Sequence, residues 1–218
     1  ISIVSHDLST PFLVINTWNS ILKMSVDAST PKAREAVQVI EKSTQQGMEL
    51  IKDVLKIEKA ENKRHDLQLE KFDLKRLTQE VLNGLDEAAK GKDIQLLFDP
   101  APASLPMLSD PHLVRRVLEN LLSNALKYSH RGGRVWISTE AVDDTMLVKI
   151  KDEGIGIESK HLPHLFDKYN TASKATNQPT STGLGLSIVK RILDEIGGAI
   201  QCKSEVGKGT EFTVRLSA

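Results

Sequence analysis

The sequence has little cysteine, few aromatic residues and no excess charge of either sign. One cysteine, Cys202, stands among 218 residues, so no internal disulfide can form and a reducing compartment is expected. Lysines and arginines number 29, as do aspartates and glutamates, which argues against binding of nucleic acid through bulk charge. No apolar run reaches the roughly 18–20 residues that cross a bilayer, and no signal peptide is visible. We therefore expect a cytoplasmic chain with no nucleic-acid partner.

What remains is the composition of an ordinary globular protein. Hydrophobic residues make up 39% and charged residues 27% of the chain, and this length is enough for one or two domains with a sizeable core. The chain begins at Ile1, without methionine and inside a helical pattern. We expect it to be a fragment in which any sensor domain or membrane anchor lies upstream.

The first 26 residues form an amphipathic helical pattern with an unusual polar group on its exposed face. His6 lies off the apolar stripe, Asp7 is its neighbour, and Thr10 lies one helical turn further on. A carboxylate beside an imidazole can keep one ring nitrogen protonated and leave the other free to attack. An isolated exposed histidine is usually just a solvated side chain, but these neighbours favour chemistry at His6. The apolar stripe consists of Ile1, Val4, Leu8, Ile15, Trp18 and Leu22.

A second amphipathic helix is predicted from Pro31 to about Asn62, after a turn at residues 27–31. Two such helices bury too little surface alone, so a symmetric homodimer with a four-helix bundle is the natural arrangement. On periodicity alone, a coiled-coil spacer without chemistry stays open. The polar stretch 63–66 ends this pattern, and we predict a helical domain over residues 1–65 and a second domain over residues 66–218.

The second domain alternates strand and helix patterns, which predicts an α/β fold. Two helices carry strong start signals, because Asp73 and Asp110 are N-cap residues and Pro111 suits the first helical position. Residues 100–106 are predicted to be a proline-rich loop. The predicted strands are 67–72, 94–98, 135–140, 146–152, 199–202 and 210–216, and the predicted helices begin at Asp73, Pro111 and Leu184.

Polar residues interrupt this domain at three places where a nucleotide would need them. Asn120, Asn124 and Lys127 lie on one face of a helix, where amide oxygens can ligate magnesium and a lysine can neutralise phosphate. Residues 152–157 read Asp-Glu-Gly-Ile-Gly-Ile after an apolar strand, so a carboxylate can accept from an adenine amino group beside glycines that permit close approach. Residues 183–186, Gly-Leu-Gly-Leu, open a helix whose free amides favour phosphate. Each feature alone also fits a solvated face or a tight turn.

The chain resembles the sensor histidine kinases of two-component systems over essentially its whole length. Residues 5–12, Ser-His-Asp-Leu-Ser-Thr-Pro-Phe, are similar to the phosphoacceptor box of that family. The asparagine-bearing helix, the Asp-x-Gly-x-Gly stretch, residues 165–169, the Gly-Leu-Gly-Leu turn and residues 207–210 then follow in the order of its Bergerat-type ATP-binding domain. No Walker motif and no protein-kinase His-Arg-Asp signature is present.

The resemblance implies an ATP-dependent protein-histidine kinase. The implied fold is a dimeric four-helix bundle of helical hairpins, followed by an α/β sandwich with a mixed sheet and helices on one face. The implied reaction is autophosphorylation of His6 with ATP and Mg²⁺, then transfer to an aspartate on the receiver domain of a response regulator. Asp7 would orient the imidazole or act as its base, and Thr10 stands where the family often positions water to dephosphorylate the regulator.

The resemblance also assigns the nucleotide site residue by residue. Asn124 is implied as the magnesium ligand, Tyr128 as the residue packed on adenine, Asp152 as the adenine reader and Thr210 as its support. Phe166, with Tyr169, matches the aromatic pair that anchors the lid over the nucleotide. The complete implied nucleotide set is Asn120, Asn124, Lys127, Tyr128, Asp152, Gly154, Gly156, Ile157, Phe166, Gly183, Leu184, Gly185 and Thr210.

Two positions depart from the family pattern and leave alternatives open. Ser9 replaces a basic residue in the phosphoacceptor box, and Ser181 replaces a glycine before the phosphate-binding turn. These departures keep open a signalling module that binds ATP without turnover. A hydrolytic ATPase of the chaperone or topoisomerase kind is a second alternative, but such enzymes carry a glutamate base where this chain has Asn120. The sequence does not identify the stimulus or the cognate regulator. It also does not show whether phosphorylation occurs within or between subunits.

Overall fold

The computed structural model describes residues 67–168 and 184–217, together with positions 15, 17, 19, 20, 37–40, 44 and 47. The chain divides into two compact units, of which the first begins at Ile1 and the second at Asp66. None of the described helices is long and apolar enough to span a membrane.

The first unit is helical at each of its described positions. Asn19 and Val37 are both buried, and the Asn19 side-chain amide donates a 3.0 Å hydrogen bond to the Val37 carbonyl oxygen. A side chain of the first predicted helix therefore contacts the backbone of the second, as a helical hairpin requires. His6, Asp7 and Thr10 lie outside the described residues.

The second unit is built on a five-stranded mixed sheet with the strand order β2-β4-β5-β7-β6. β2 runs parallel to β4, and the other neighbours are antiparallel. A separate antiparallel pair, β1 and β3, forms a small second sheet. The strands are β1 (Glu70–Asp73), β2 (Gln95–Pro100), β3 (Pro106–Ser109), β4 (Arg134–Val142), β5 (Thr145–Asp152), β6 (Ala199–Glu205) and β7 (Gly209–Ser217).

Three α-helices cover one face of the large sheet. They are α1 (Leu74–Gly91), α2 (Pro111–Tyr128) and α3 (Gly185–Glu195), and a short 3₁₀ helix spans Ser159–His164. Alternate strand residues are buried beneath the helices, while most residues on the other face of the central strands are half-buried. The predicted mixed sheet with helices on one face is thus confirmed. The buried strand side chains are Val135, Ile137, Val148, Ile150, Phe212 and Val214.

Local capping fixes where the first two helices begin. The Asp73 carboxylate accepts hydrogen bonds from the backbone amides of Lys75 and Arg76. The Asp110 carboxylate accepts from the amides of His112 and Leu113 at 2.9 and 3.1 Å, and Pro111 occupies the first helical position. Both predicted start sites are confirmed, because an N-cap depends on a few adjacent residues.

Short elements differ from the sequence prediction. β1 begins at Glu70 rather than Leu67, and β3, which starts at the last residue of the predicted loop, was not predicted as a strand. Each strand of this pair has four residues, too few for an alternating pattern to stand out. Pro100 ends β2 instead of opening the loop. The 3₁₀ helix was not predicted, and it contains Pro163.

Candidate active site

Asp152 lies at the end of β5 on the helix-covered face of the sheet, and only 4% of its surface is exposed. Its Oδ1 atom accepts hydrogen bonds from the backbone amides of Gly154, at 2.9 Å, and Thr210, at 3.3 Å. Within residues 67–168 and 184–217, no donor is hydrogen-bonded to Oδ2. The protein therefore fixes the carboxylate through one oxygen, and the other has no protein donor among the described residues.

Burial raises the pKa of Asp152 to about 6, because the charged form loses hydration in this setting. The amides of Gly154 and Thr210 oppose this shift, and so does the charge of His130. Among the described groups, Asp152 is thus a carboxylate whose protonation changes near neutral pH. Such a perturbed, buried group is typical of binding and catalytic sites.

A row of polar side chains extends from Asp152 across the neighbouring strands. Thr210 on β7 is the register partner of both Asp152 on β5 and Ser204 on β6. The hydroxyls of Ser204 and Thr210 share a 2.9 Å hydrogen bond, and the amide of Ile157 donates to the Ser204 hydroxyl at 2.8 Å. Three strands and the segment after β5 are therefore tied together at one end of the sheet.

The glycines around Asp152 are required by close backbone contacts within the protein itself. A Cβ atom on Gly154 would lie 2.4 Å from the Tyr128 carbonyl oxygen, and one on Gly156 would lie 2.0 Å from that of Glu205. Gly156 also has a φ of 68°, a left-handed conformation that glycine adopts at little cost. The prediction that both glycines give space to a ligand was therefore incomplete, since neighbouring backbone occupies that space.

The asparagine side chains of α2 meet the beginning of α3. A Cβ atom on Gly185 would lie 3.3 Å from Asn120 Oδ1 and 3.8 Å from Asn124 Nδ2. Asn120 is held in place by a 2.7 Å hydrogen bond from its Nδ2 to the Arg116 carbonyl oxygen. Leu184 is 1% exposed and anchors the start of α3 in the core. Amide side chains and the amides of a helix N-terminus therefore share one small region.

The end of α2 connects the two parts of the site. The Tyr128 carbonyl oxygen accepts from the amide of Ile155 at 3.3 Å, and Ser129 forms a β-bridge with Gly154. The Lys127 ammonium lies 5.7 Å from the centroid of the Tyr128 ring. Both residues therefore lie between the asparagines of α2 and the carboxylate at the end of β5.

The structure brings together most, but not all, of the predicted nucleotide residues. Asp152, Gly154, Gly156, Ile157 and Thr210 form one connected group, which is joined to Tyr128. Asn120, Asn124 and Gly185 form a second group. Phe166 is partly exposed just after the 3₁₀ helix, with no hydrogen bond or ring contact to either group. Gly183 lies outside the described residues.

Sequence reasoning missed two residues of this site. Ser204 was not singled out, although it faces Thr210 across the final hairpin and binds the amide of Ile157. Ser129 was also missed, and its hydroxyl is buried without a hydrogen-bond partner among the described atoms. The turn at residues 207–210 gave a signal for Ser204, because it sets which residues of β6 and β7 face each other.

The polar groups of this site suit an adenine nucleotide with magnesium. A buried carboxylate with one open oxygen can accept from an adenine amino group, and neutral amide oxygens with a helix N-terminus suit magnesium and phosphate. The fold and this donor set define a nucleotide-binding α/β domain. Close backbone contacts make Gly154 and Gly156 necessary beside Asp152.

Comparison with known families agrees with this class. The family described as "Histidine kinase-, DNA gyrase B-, and HSP90-like ATPase" matches residues 109–218, and the "His Kinase A (phospho-acceptor) domain" matches residues 1–63. The chain belongs to the sensor histidine kinases of two-component systems.

Individual relatives support the same assignment. The circadian input-output histidine kinase CikA of Synechococcus elongatus is 34% identical over 97% of this chain and 28% of its own length. The full-length ShkA structure in complex with AMPPNP shares the fold, with a TM-score of 0.76 and 24% identity over 100% of this chain and 46% of that one. The complex of ThkA with the response regulator TrrA gives a TM-score of 0.72 and 24% identity, over 99% of this chain and 60% of ThkA. The chain spans less than half the length of the curated relatives that it matches.

Proposed function

We propose that this chain is the core of an ATP-dependent protein-histidine kinase that phosphorylates its own His6. Residues 1–65 form the dimerisation and phosphotransfer domain, and residues 66–218 form the catalytic ATP-binding domain. The observation that carries the proposal is the carboxylate of Asp152, which is buried and held through Oδ1 while Oδ2 has no protein donor among the described residues. Its domain follows a phosphoacceptor domain in the same chain.

The geometry at the end of β5 supports adenine recognition. Oδ2 of Asp152 accepts from the exocyclic amino group of adenine, while Thr210 and Ser204 hold the carboxylate and the strand ends in register. Guanine has a carbonyl oxygen at the corresponding position, which would face a carboxylate oxygen without a shared proton. The site is therefore selective for adenine over guanine. The Tyr128 ring packs against the base.

The phosphates extend toward the meeting point of α2 and α3. Asn124 would ligate magnesium through its side-chain oxygen, with Asn120 beside it and Lys127 near the phosphates. Magnesium, when bound, would neutralise phosphate charge. The turn from Gly183 to Gly185 would offer backbone amides to the same phosphates.

The reaction uses residues of both domains. A ring nitrogen of His6 attacks the γ-phosphorus in line, the bond from that phosphorus to the bridging oxygen breaks, and ADP leaves. Asp7 orients the imidazole through its other ring nitrogen or accepts the proton from that nitrogen, and the product is a phosphohistidine. The phosphoryl group then passes to an aspartate of a response-regulator receiver domain. ThkA, which shares this fold, has been solved with such a regulator.

A homodimer is proposed as the assembly in which the helical domain works. A single hairpin of two amphipathic helices would bury little apolar surface, and a second copy would complete a four-helix bundle. A second activity, dephosphorylation of the regulator, is proposed for Thr10, which would position water. A Thr10→Ala variant is expected to keep kinase activity and lose this phosphatase activity.

Hydrolysis of ATP as the main reaction is disfavoured by Asn120. An amide cannot take a proton from water, and the Asn120 amide is already bound to the Arg116 carbonyl oxygen. The position at which a hydrolytic relative needs its base is therefore held by a neutral group. Transfer to a histidine needs no such base on α2.

The test is incubation of the chain with γ-labelled ATP and magnesium. Acid-labile, alkali-stable label is expected on the native chain, and it should be lost in His6→Gln and in Asn124→Ala. Matched controls are His112→Gln, an exposed histidine at the start of α2, and Asn83→Ala, an exposed asparagine on α1. Label that persists in His6→Gln would move the acceptor elsewhere. A native chain that binds ATP but takes no label would favour the non-catalytic signalling module.

A further inference from the structure

Lys92 reaches from the end of α1 to the end of α2. Its ammonium donates hydrogen bonds to the carbonyl oxygens of Leu126, at 3.0 Å, and Lys127, at 2.9 Å. The last carbonyls of a helix have no amide partner within the helix, so they must find one elsewhere. A positive charge at this end also interacts favourably with the helix dipole.

The backbone around Lys92 adds to this contact. The amide of Gly132, just after α2, donates to the Lys92 carbonyl oxygen at 3.2 Å. The amide of Gln95 donates to the Gly133 carbonyl oxygen at 3.0 Å. The chain leaving α2 is therefore attached to the turn between α1 and β2 through both side chain and backbone. Of these contacts, the two from the ammonium act on the last helical turn itself.

That turn carries residues of the nucleotide site. Lys127 lies in the last turn of α2, and Tyr128 is the last residue of the helix. The Tyr128 carbonyl oxygen accepts a hydrogen bond from the amide of Ile155, in the segment after Asp152. Burial and the nearby charge of Lys127 lower the pKa of Lys92. A half-buried ammonium beside a second lysine is costly for stability, and the two hydrogen bonds to carbonyl oxygens at the end of α2 offset part of that cost.

We propose that Lys92 is a positioning residue for the nucleotide site, which fixes the last turn of α2 so that Lys127 and Tyr128 are placed for ATP. The nucleotide part of this inference rests on the proposed function. The positioning of α2 by Lys92 can be measured without any nucleotide.

The test compares Lys92→Met, which replaces the aliphatic stem but has no donor, with Lys92→Arg, which restores donors and charge. The matched control is Lys90→Met at the same end of α1, where the native lysine is exposed and pairs with Asp86. Amide hydrogen exchange of residues 126–133 is measured in the full chain without nucleotide. The KM for ATP and kcat for autophosphorylation are then measured on the same samples.

We expect exchange at the end of α2 to become about tenfold faster in Lys92→Met, with a KM for ATP about tenfold higher and a smaller change in kcat. Lys92→Arg and Lys90→Met should resemble the native chain in both measurements. Unchanged exchange at residues 126–133 in Lys92→Met would overturn the positioning role, whether or not the chain uses ATP. Faster exchange with an unchanged KM would overturn the link to the nucleotide. A native chain that takes no label refutes the proposed function, and the exchange result still decides the role of Lys92 at α2.

Discussion

Replacement of Asp152 by asparagine should make the protein more stable and less able to bind ATP. Asparagine keeps a side-chain oxygen that can accept from Gly154 and Thr210, so both hydrogen bonds that hold the carboxylate survive. It removes the negative charge that burial disfavours. It also puts an amide where an adenine amino group needs an acceptor, and we expect ATP affinity to fall about tenfold or more.

The size of the stability change follows from the pKa of Asp152. Folding raises this pKa from the ordinary 3.8 to about 6, and each unit is worth about 1.4 kcal/mol. A raised folded pKa means that native stability is greatest below pH 3.8 and is lost as pH rises through 6. At pH 8 the ionised carboxylate costs about 3 kcal/mol, and at pH 5 about half of that. The advantage of Asp152→Asn should therefore shrink as pH falls from 8 to 5.

Urea unfolding between pH 5 and pH 8 measures this difference. Trp136 lies on β4 in the same unit as Asp152, and Trp18 is the other tryptophan of the chain, so a Trp18→Phe background makes fluorescence report the second unit. Asp144→Asn is the matched control, because Asp144 is exposed in the turn between β4 and β5. This substitution removes the same negative charge from an exposed side chain.

Two results would refute the reasoning. An Asp152→Asn chain no more stable than the native one at pH 8 would mean that the buried charge is compensated by donors other than the two amides. A stability gain that does not change with pH would mean that packing, rather than ionisation of Asp152, separates the two proteins. Asp144→Asn should stay within about 0.5 kcal/mol of the native chain throughout.

Further substitutions test the backbone around the site. Gly209→Ala should cost about 3 kcal/mol or more and abolish ATP binding, because its Cβ would lie 1.8 Å from the Asp152 carbonyl oxygen at a φ of 104°. Gly207→Ala, with a φ of 77° and no atom within 4 Å, should cost only about 1 kcal/mol; equal losses in urea unfolding would contradict this. Asp110→Ala should cost about 2 kcal/mol in the same assay, since it caps α2 and accepts from the amide of Gln68. A loss below 0.5 kcal/mol would show that the cap is dispensable.

The features that the sequence predicts well depend on neighbouring residues. Asp73 and Asp110 cap the helices that follow them. Each of these signals acts within three or four positions. The same holds for the spacing of Asn120 and Asn124, which puts both on one face of α2 whatever the rest of the fold does.

What the sequence does not predict depends on which distant residues become neighbours. Ser204 enters the site because the β6–β7 register places it opposite Thr210, and a shift of one residue would turn it away. Lys92 contacts α2 across an interval of 34 residues, from Lys92 to Leu126. Periodicity contains no information about such pairs. The resemblance to a family supplied the ligand and the reaction, but it assigned no role to either residue.

In the proposed site, Asp152 would link the stability of the domain to selectivity for adenine. The row through Asp152, Thr210 and Ser204 occupies inner-face positions where the rest of the sheet has Val148, Ile150, Phe212 and Val214. Apolar residues there would extend the core and raise stability, because burial of a carboxylate is costly. A selective acceptor for an amino group must nevertheless be buried, since water would compete with adenine at an exposed one. In the proposed binding mode, the adenine amino group would donate to Oδ2, so ATP should stabilise the native domain more at pH 8, where Asp152 is ionised, than at pH 5. In Asp152→Asn this pH dependence should disappear.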